Sequence, residues 1–333
     1  MMHKGDNIML DRKELAETIF KEHPIRFCAK EKDDFIVFAQ ERLRGMGYSD
    51  DDIHIMQSRG MMASRNIVIG DIEKAQKFIT AHYDTPGRNG IIVCTSPLVG
   101  QVWANILTCV LIVPLMAVLS GLGVRLEQLF ESIPALNGTL LTTVFGAILL
   151  PLIFLAYFIA IIFIKNPQSR NDNTSGTLGA LYCAERLVDR VKSGEVCVVL
   201  FDNEEWGLVG AGRLAAELRR RKVKMKERTV INFDCIGVGD RLIAATVGRQ
   251  HKGTRAVLDA MDEGLEKKIV RKCSFVVYMS DHARFRDSFM LSAAKRSKLG
   301  PFYLPNIHTA RDVECDLDLV GDIADRVCGV IEK

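Results

Sequence analysis

Two adjacent glutamates, Glu204 and Glu205, follow the valine-rich run from Val196 to Leu200. A short continuous apolar run of that kind reads as a buried strand, and the glycine-containing segment after Glu205 as the opening of a helix. The pair therefore stands where a strand ends, the position at which open α/β sheets bind ligands. Neighbouring glutamates are otherwise ordinary solvated surface, so the weight comes from other residues in similar places. His82 and Asp84 follow the strand-like run Lys77 to Ala81, Asp234 follows Thr229 to Phe233, Asp172 lies in a polar tract, and His308 lies in the loop from Pro305 to Thr309. Two imidazoles and three carboxylates make a nitrogen and oxygen donor set that suits zinc, and also cobalt or manganese. Five ligands are too many for one tetrahedral ion with an open position. They fit two ions roughly 3.5 to 4 Å apart if one carboxylate bridges. Glu204 is then left over as a general base, and Asp84 is placed to fix the tautomer of His82.

The elements that must position these residues follow from periodicity. Helical spacing of apolar residues covers Leu15 to Lys21 and Asp33 to Met46, notably Phe35, Ile36, Phe38, Ala39 and Leu43. Further helices are expected over Thr177 to Val191, up to Leu218, over Thr254 to Lys268 and over Asp316 to Ile331. Strands are expected at Ile67 to Gly70, Arg241 to Val247 and Ser274 to Met279 as well as at the three runs above. Alternating strands and helices predict an α/β fold: a three-layer arrangement with a mixed, largely parallel sheet and helices on both faces.

The chain has 333 residues, enough for a sizeable core, and a net charge of +3, which gives no reason to expect a nucleic-acid partner. The basic cluster from Arg219 to Lys226 reads as a solvated helix end. Nine cysteines without paired spacing argue against a disulfide framework and for a reducing compartment, and the N-terminus does not read as a secretory signal. Mean hydropathy is +0.11, with the apolar excess concentrated in one region. No charged residue occurs from Asn89 through Val124 or from Ser132 through Ile164. The spans Leu98 to Ser120 and Leu140 to Ile164 are each long enough to cross a hydrocarbon core of about 30 Å. They predict a transmembrane hairpin over 97–165, inserted between two parts of one α/β domain, 1–96 and 166–333. Arg88, Lys165 and Arg170 on the domain side make the domain and both termini cytoplasmic by the positive-inside tendency, with the hairpin in the lipid bilayer.

The order His82-x-Asp84, Asn171-Asp172-Asn173-x-Ser175-Gly176, Glu204-Glu205-x-Gly207-Leu208-x-Gly210, Asn232-x-Asp234 and His308-Thr309 resembles the di-zinc aminopeptidase family, zinc peptidase family 28. The resemblance spans roughly residues 65 to 330 apart from the apolar insertion. It implies two zinc ions per chain, with Asp172 bridging, His82 and Asp234 completing one site, and Glu205 and His308 the other. It implies further that Asp84 supports His82, and that Glu204 is the base towards a water between the metals that attacks the carbonyl of a short peptide. The activity implied is that of an aminopeptidase. A carboxypeptidase or a glutaminyl cyclase of the same fold, or a catalytically inactive binding scaffold, are the alternatives; cyclases, by the same resemblance, use one metal. A Ser-Asp-His triplet recurs in the family near the substrate pocket, which makes His282 a candidate substrate contact. The departure from the family pattern is the 90-position gap between His82 and Asp172, which the insertion fills.

Overall fold

The computed structural model describes residues 12–58, 62–88, 164–273, 279–296 and 302–333, together with Gly121, Arg125 and Leu152. Helices α1 (Arg12–Glu22) and α2 (Ala29–Gly45) come first, then strands β1 (Ile53–Gln57), β2 (Arg65–Ile69) and β3 (Lys77–His82). After the insertion come α3 (Gly176–Arg186), α4 (Val188–Lys192), β4 (Val196–Phe201), α5 (Val209–Arg220), β5 (Thr229–Phe233) and β6 (Arg241–Thr246). Helix α6 (Lys252–Asp262), β7 (Val270–Cys273), β8 (Ser288–Arg296), the short β9 (Phe302–Tyr303) and α7 (Leu317–Glu332) complete the order.

The strands form one sheet in the order β1-β2-β4-β3-β5-β8-β6-β7, with β9 on β8. The four central strands, β4, β3, β5 and β8, run parallel. Both flanks turn antiparallel, at the β2–β4 and β8–β6 pairings. The expected mixed sheet is therefore parallel where the site residues are and antiparallel beyond them.

Strand alternation explains the layers. Val196, Val198 and Leu200 of β4 join a large core with Phe35, Leu181 and Val327, whereas Cys197, Val199 and Phe201 join a second core with Leu214 and Leu218 of α5. Successive side chains point to opposite faces, so a strand apolar at every position must be covered on both. Helix α3 has every residue from Gly176 to Ala184 buried because it lies between the sheet and α7. Each buried Val, Leu, Ile or Phe contributes roughly 1.5–3 kcal/mol relative to exposure.

Three expectations shift. The helix foreseen over Thr177 to Val191 breaks at Leu187 into α3 and α4. The one foreseen to Lys268 stops at Asp262, before Gly264 at φ +73°. A strand not foreseen, β7, ends at Cys273, and the strand expected from Ser274 to Met279 lies outside the described residues apart from Met279. The hairpin spans Leu98 to Ser120 and Leu140 to Ile164 also lie outside them, Leu152 and Ile164 excepted. Among the described residues no helix is long and apolar enough to cross a membrane. The two ends of the insertion do meet: Gly87 pairs with Lys165, Arg88 N donates to Ile164 O at 2.6 Å, and Asn166 N donates to Pro86 O at 3.2 Å. The intervening chain thus leaves and re-enters at one point, the Gly87–Lys165 pair, five residues beyond His82 and seven before Asp172 by number.

Candidate metal centre

Strand β3 ends on His82. The ring nitrogen Nδ1 lies 3.1 Å from the main-chain oxygen of Asp84 and 3.5 Å from Asp84 Oδ1, so carbonyl and carboxylate together hold the ring with Nε2 turned inward. The Asp84 carboxylate has a further task that sequence did not reveal. Its oxygens accept the backbone N–H groups of Glu204 at 3.0 Å and Glu205 at 3.3 Å, which ties the end of β4 to the end of β3. The turn that carries the two glutamates needs its glycines: Gly207 sits at φ +98°, and a Cβ on Gly210 would lie 2.4 Å from the carbonyl oxygen of Asp202.

The polar tract before α3 is a fastener. Asn171 Oδ1 accepts Gly237 N at 2.9 Å, Asn173 Nδ2 donates to Phe233 O at 3.0 Å while its Oδ1 accepts Cys235 N at 3.1 Å, and Ser175 Oγ accepts Ile236 N at 3.0 Å. These side chains lock the Asp172 loop to the segment that carries Asp234. From the other side Asp312 accepts Asn171 N at 2.8 Å and Asp172 N at 2.9 Å. Asp312 was missed, because a lone aspartate in a polar loop carries no periodic or motif signal.

The five expected donors come together. His82 Nε2 lies 3.5 Å from Asp172 Oδ1 and 4.0 Å from Asp234 Oδ1. His308 Nε2 lies 2.9 Å from Asp172 Oδ2 and 3.6 Å from Glu205 Oε2. One carboxylate thus faces both imidazoles with different oxygens. The donor atoms of His82, Asp172 and Asp234, and those of Asp172, Glu205 and His308, fall within 4.8 Å of one another in each group. A third group, His82, Glu204 and Glu205, satisfies the same distance, so Glu204 stands at the edge of the cluster. The side chains of Asp172, Glu205, Asp234 and His308 retain 5, 9, 14 and 21% of their accessible surface, which orients the opening of the cleft towards His308.

Burial and mutual repulsion set the protonation of the cluster. Burial drives Glu204 well above the usual carboxylate range, against the pull of His82 and with Glu205, Asp281 and Asp234 adding to the rise. Glu205 rises to about 8, by burial first and then by Asp172, despite His308. Asp234 and Asp281 are also raised by burial. In Asp84 burial is outweighed by the His82 hydrogen bond and the Lys32 charge, and in Asp172 by His308 and His82, so both are held low. Burial would lower the histidines, but Glu204, Asp84 and Asp234 carry His82 well above its ordinary value, and Glu205 and Asp172 carry His308 to about 10.

Six carboxylates, Asp84, Asp172, Glu204, Glu205, Asp234 and Asp281, therefore crowd around two cluster imidazoles. Glu205 Oε1 and both oxygens of Asp281 are buried with no hydrogen-bond partner. Buried negative charge in that excess is stable only with added positive charge, and the donor set suits borderline-hard divalent ions. The residues present fit a metal centre. His282 belongs to none of the three donor groups. The residue is fully buried, burial pushes it down to about 3, and neither ring nitrogen has a hydrogen-bond partner.

The fold is similar to that of solved structures of both aminopeptidases and glutaminyl cyclases. The Legionella pneumophila LapA aminopeptidase is similar at 14% identity and TM-score 0.56, covering 99% of this chain and 72% of that one. The Porphyromonas gingivalis glutaminyl cyclase is similar at 13% identity and TM-score 0.62, over 97% of this chain and 98% of that one. An Acidobacteriales bacterium glutaminyl cyclase follows at 15% identity and TM-score 0.55, over 100% and 97%. At such identities the likeness is one of fold. The sequence profile of Peptidase family M28 matches residues 165–330, the stretch that carries Asp172, Glu204, Glu205, Asp234 and His308. No curated protein matches the chain.

Proposed function

We propose that this chain is a metal-dependent exopeptidase, a zinc aminopeptidase acting on short peptides, with two metal ions per chain. The observation that carries the proposal is Asp172, whose two oxygens face the two imidazoles at 3.5 and 2.9 Å. His82, Asp172 and Asp234 would hold one ion, and Asp172, Glu205 and His308 the other. The ions would supply Lewis acidity towards the scissile carbonyl and lower the pKa of water towards neutrality. The chain's own residues do the rest. Asp84 holds the His82 ring and the Glu204–Glu205 turn in one register. Glu204, with its carboxyl group at the edge of the cluster, takes the proton of the attacking water and returns it to the leaving amine.

Glu204→Gln tests that role. Metal content by elemental analysis should be unchanged, whereas kcat should fall by about 10²–10⁴-fold; equal activity would remove Glu204 as the base. A glutaminyl cyclase is the second reading, favoured by the near-complete mutual coverage with the Porphyromonas gingivalis protein. Incubating the metal-loaded protein with free, N-blocked and N-terminal-glutamine peptides separates the two by product mass. An aminopeptidase trims only free N-termini, and a cyclase releases ammonia from the glutamine peptide without cleaving it.

The apolar insertion supports a membrane anchor with the peptidase domain and both termini cytoplasmic, since its two uncharged runs have membrane-spanning length. The full chain should then partition into detergent, and its recovery as a soluble monomer without detergent would refute the anchor.

A further inference from the structure

Among the described residues, Arg and Lys side chains are buried at two positions, and both lie in the N-terminal segment, outside the stretch that matches the peptidase family. Arg26, between α1 and α2, is 0% exposed, and Lys32, in the first turns of α2, is 4% exposed. Neither belongs to the donor cluster. A buried guanidinium or ammonium is costly unless opposite charge and hydrogen bonds compensate it. Their partners explain where the compensation lies.

Arg26 spreads its donors over three separate pieces of chain. Nε donates to Tyr83 O at 2.5 Å, Nη1 to His23 O at 2.6 Å and Nη2 to Thr174 Oγ1 at 2.8 Å, with the guanidinium 5.2 Å from the Phe35 ring centre. Its backbone adds a reciprocal pair with Thr85: Arg26 N donates to Thr85 Oγ1 at 3.0 Å, and Thr85 N donates to Arg26 O at 3.2 Å. Tyr83 lies between His82 and Asp84, and Thr174 lies two residues beyond Asp172. A planar fork of five N–H groups can bridge these segments, which a single ammonium cannot.

Lys32 does the corresponding work on the third loop. Its Nζ lies 2.6 Å from Asp202 Oδ1 and donates to Asn203 Oδ1 at 2.5 Å. The other oxygen of Asp202 accepts Arg65 N at 2.9 Å, and Asn203, at φ 57°, donates through Nδ2 to Ala63 O at 2.6 Å. These two residues immediately precede Glu204 and Glu205. Lys32 therefore fixes the turn at its start, and Asp84 fixes it one residue later through the Glu204 and Glu205 amides. The Arg26 and Lys32 charges both act on Asp84, so they also offset part of the negative charge that the cluster accumulates.

We propose that Arg26 and Lys32 are positioning residues of the metal centre: Arg26 sets the His82–Asp84 and Asp172 loops against each other, and Lys32 sets the Glu204–Glu205 turn against both. This rests on the two-metal reading of the cluster. A donor set held through outer contacts loses metal affinity when those contacts go, by about 10–100-fold, whereas a residue that serves only the fold changes the melting temperature and leaves the bound metal alone.

The test uses the full chain with Arg26→Lys, Lys32→Met and the double variant Lys32→Met/Asp202→Asn, in which both charges of the ion pair are removed together. Each is titrated with Co(II), following the visible d–d absorption and the metal content, alongside a thermal melt and kcat and KM on a free peptide. The expected result is a cooperative melt, a Co(II) affinity lowered by about 10–100-fold with an altered d–d band, and a fall in kcat with KM within about twofold, as expected when positioning rather than ground-state binding is lost. Folded variants with the wild-type Co(II) affinity and band overturn the proposal while leaving the two-metal reading intact. Failure of the wild type to take up Co(II) overturns both. Should a single variant fail to fold, the charge-neutral double variant decides the outcome for Lys32, and Arg26→Gln decides it for Arg26 by the same Co(II) readout in whatever fraction melts cooperatively.

Discussion

The two ends of the parallel strands use carboxylates in opposite ways. At the amino end, Asp287 accepts Gly253 N at 2.9 Å, Thr254 N at 2.8 Å and Thr254 Oγ1 at 2.6 Å, which caps α6. Asp71 in the turn before β3 accepts Glu73 N at 2.7 Å and Lys74 N at 3.2 Å. These acids are spent on backbone donors that a turn or a helix start leaves free. At the carboxyl end, Glu205 Oε1 and both oxygens of Asp281 have no donor, burial raises Asp234, and burial and then the acidic neighbours raise Glu204. The same residue type on the same sheet is satisfied at one end and crowded at the other. Structure consumes the charge of the first set, whereas burial makes the second set costly to ionise unless a compensating cation is added.

Mutation should separate the two ends most sharply at Asp172. Asp172→Ala removes the one carboxylate common to both donor groups, so at least one metal should be lost by elemental analysis. Activity should fall by more than about 100-fold, because outer contacts of metal ligands alone are worth 10–100-fold. A variant that kept two metals per chain would break the contrast, since the crowded carboxylates would then be as dispensable as any surface acid.

Sequence revealed the crowded end better than the satisfied one, for a physical reason. His82 ends β3, and Glu205 and Asp234 follow β4 and β5; β4 is apolar throughout and the other two are largely so, and such runs announce both their own ends and the chemistry placed there. The polar side chains of Asn171, Asn173 and Ser175 are used on the backbone around Asp234, which the tract alone did not reveal. Strand β8 went unseen although it is central, since Ser288-Phe-Met-Leu-Ser-Ala-Ala has few β-branched residues and only its burial between β5 and β6 makes it a strand. Strand β1 was missed as well, its His54 and Gln57 masking a weak alternation. Asp312, Arg26 and Lys32 act through contacts with residues over a hundred positions away, and no local window holds such a signal.

The amino end gives the second test, with a smaller effect of a different kind. Asp287→Ala leaves Gly253 N and Thr254 N without their acceptor at the start of α6. Loss of a cap of this sort costs about 0.5–2 kcal/mol, read from the denaturant midpoint of the metal-free protein. Activity per folded molecule and metal content should stay within about twofold of the wild type. A large loss of metal would mean that the two ends are coupled through β8, and the division between them would fail.

A third test, visible only as a slope against pH, lies between the two ends in the Asp281–His282 pair. Burial lowers His282 to about 3, so between that value and the unfolded value of about 6.5 the unfolded chain binds the extra proton, and stability falls as pH falls. Asp281 works in reverse: its carboxyl is raised well above the usual range by burial, so the folded chain takes up the extra proton over the same interval and stability rises as pH falls. In the wild type the two slopes largely cancel. Asp281→Asn removes the compensating group, and the metal-free variant should lose stability on going from pH 6.5 to pH 4 with a slope of up to about 1.4 kcal/mol per pH unit more than the wild type. Unfolding midpoints at three or four pH values measure it. Equal slopes would mean that Asp281 takes up no extra proton in the folded chain, so that its carboxyl is not raised by burial after all.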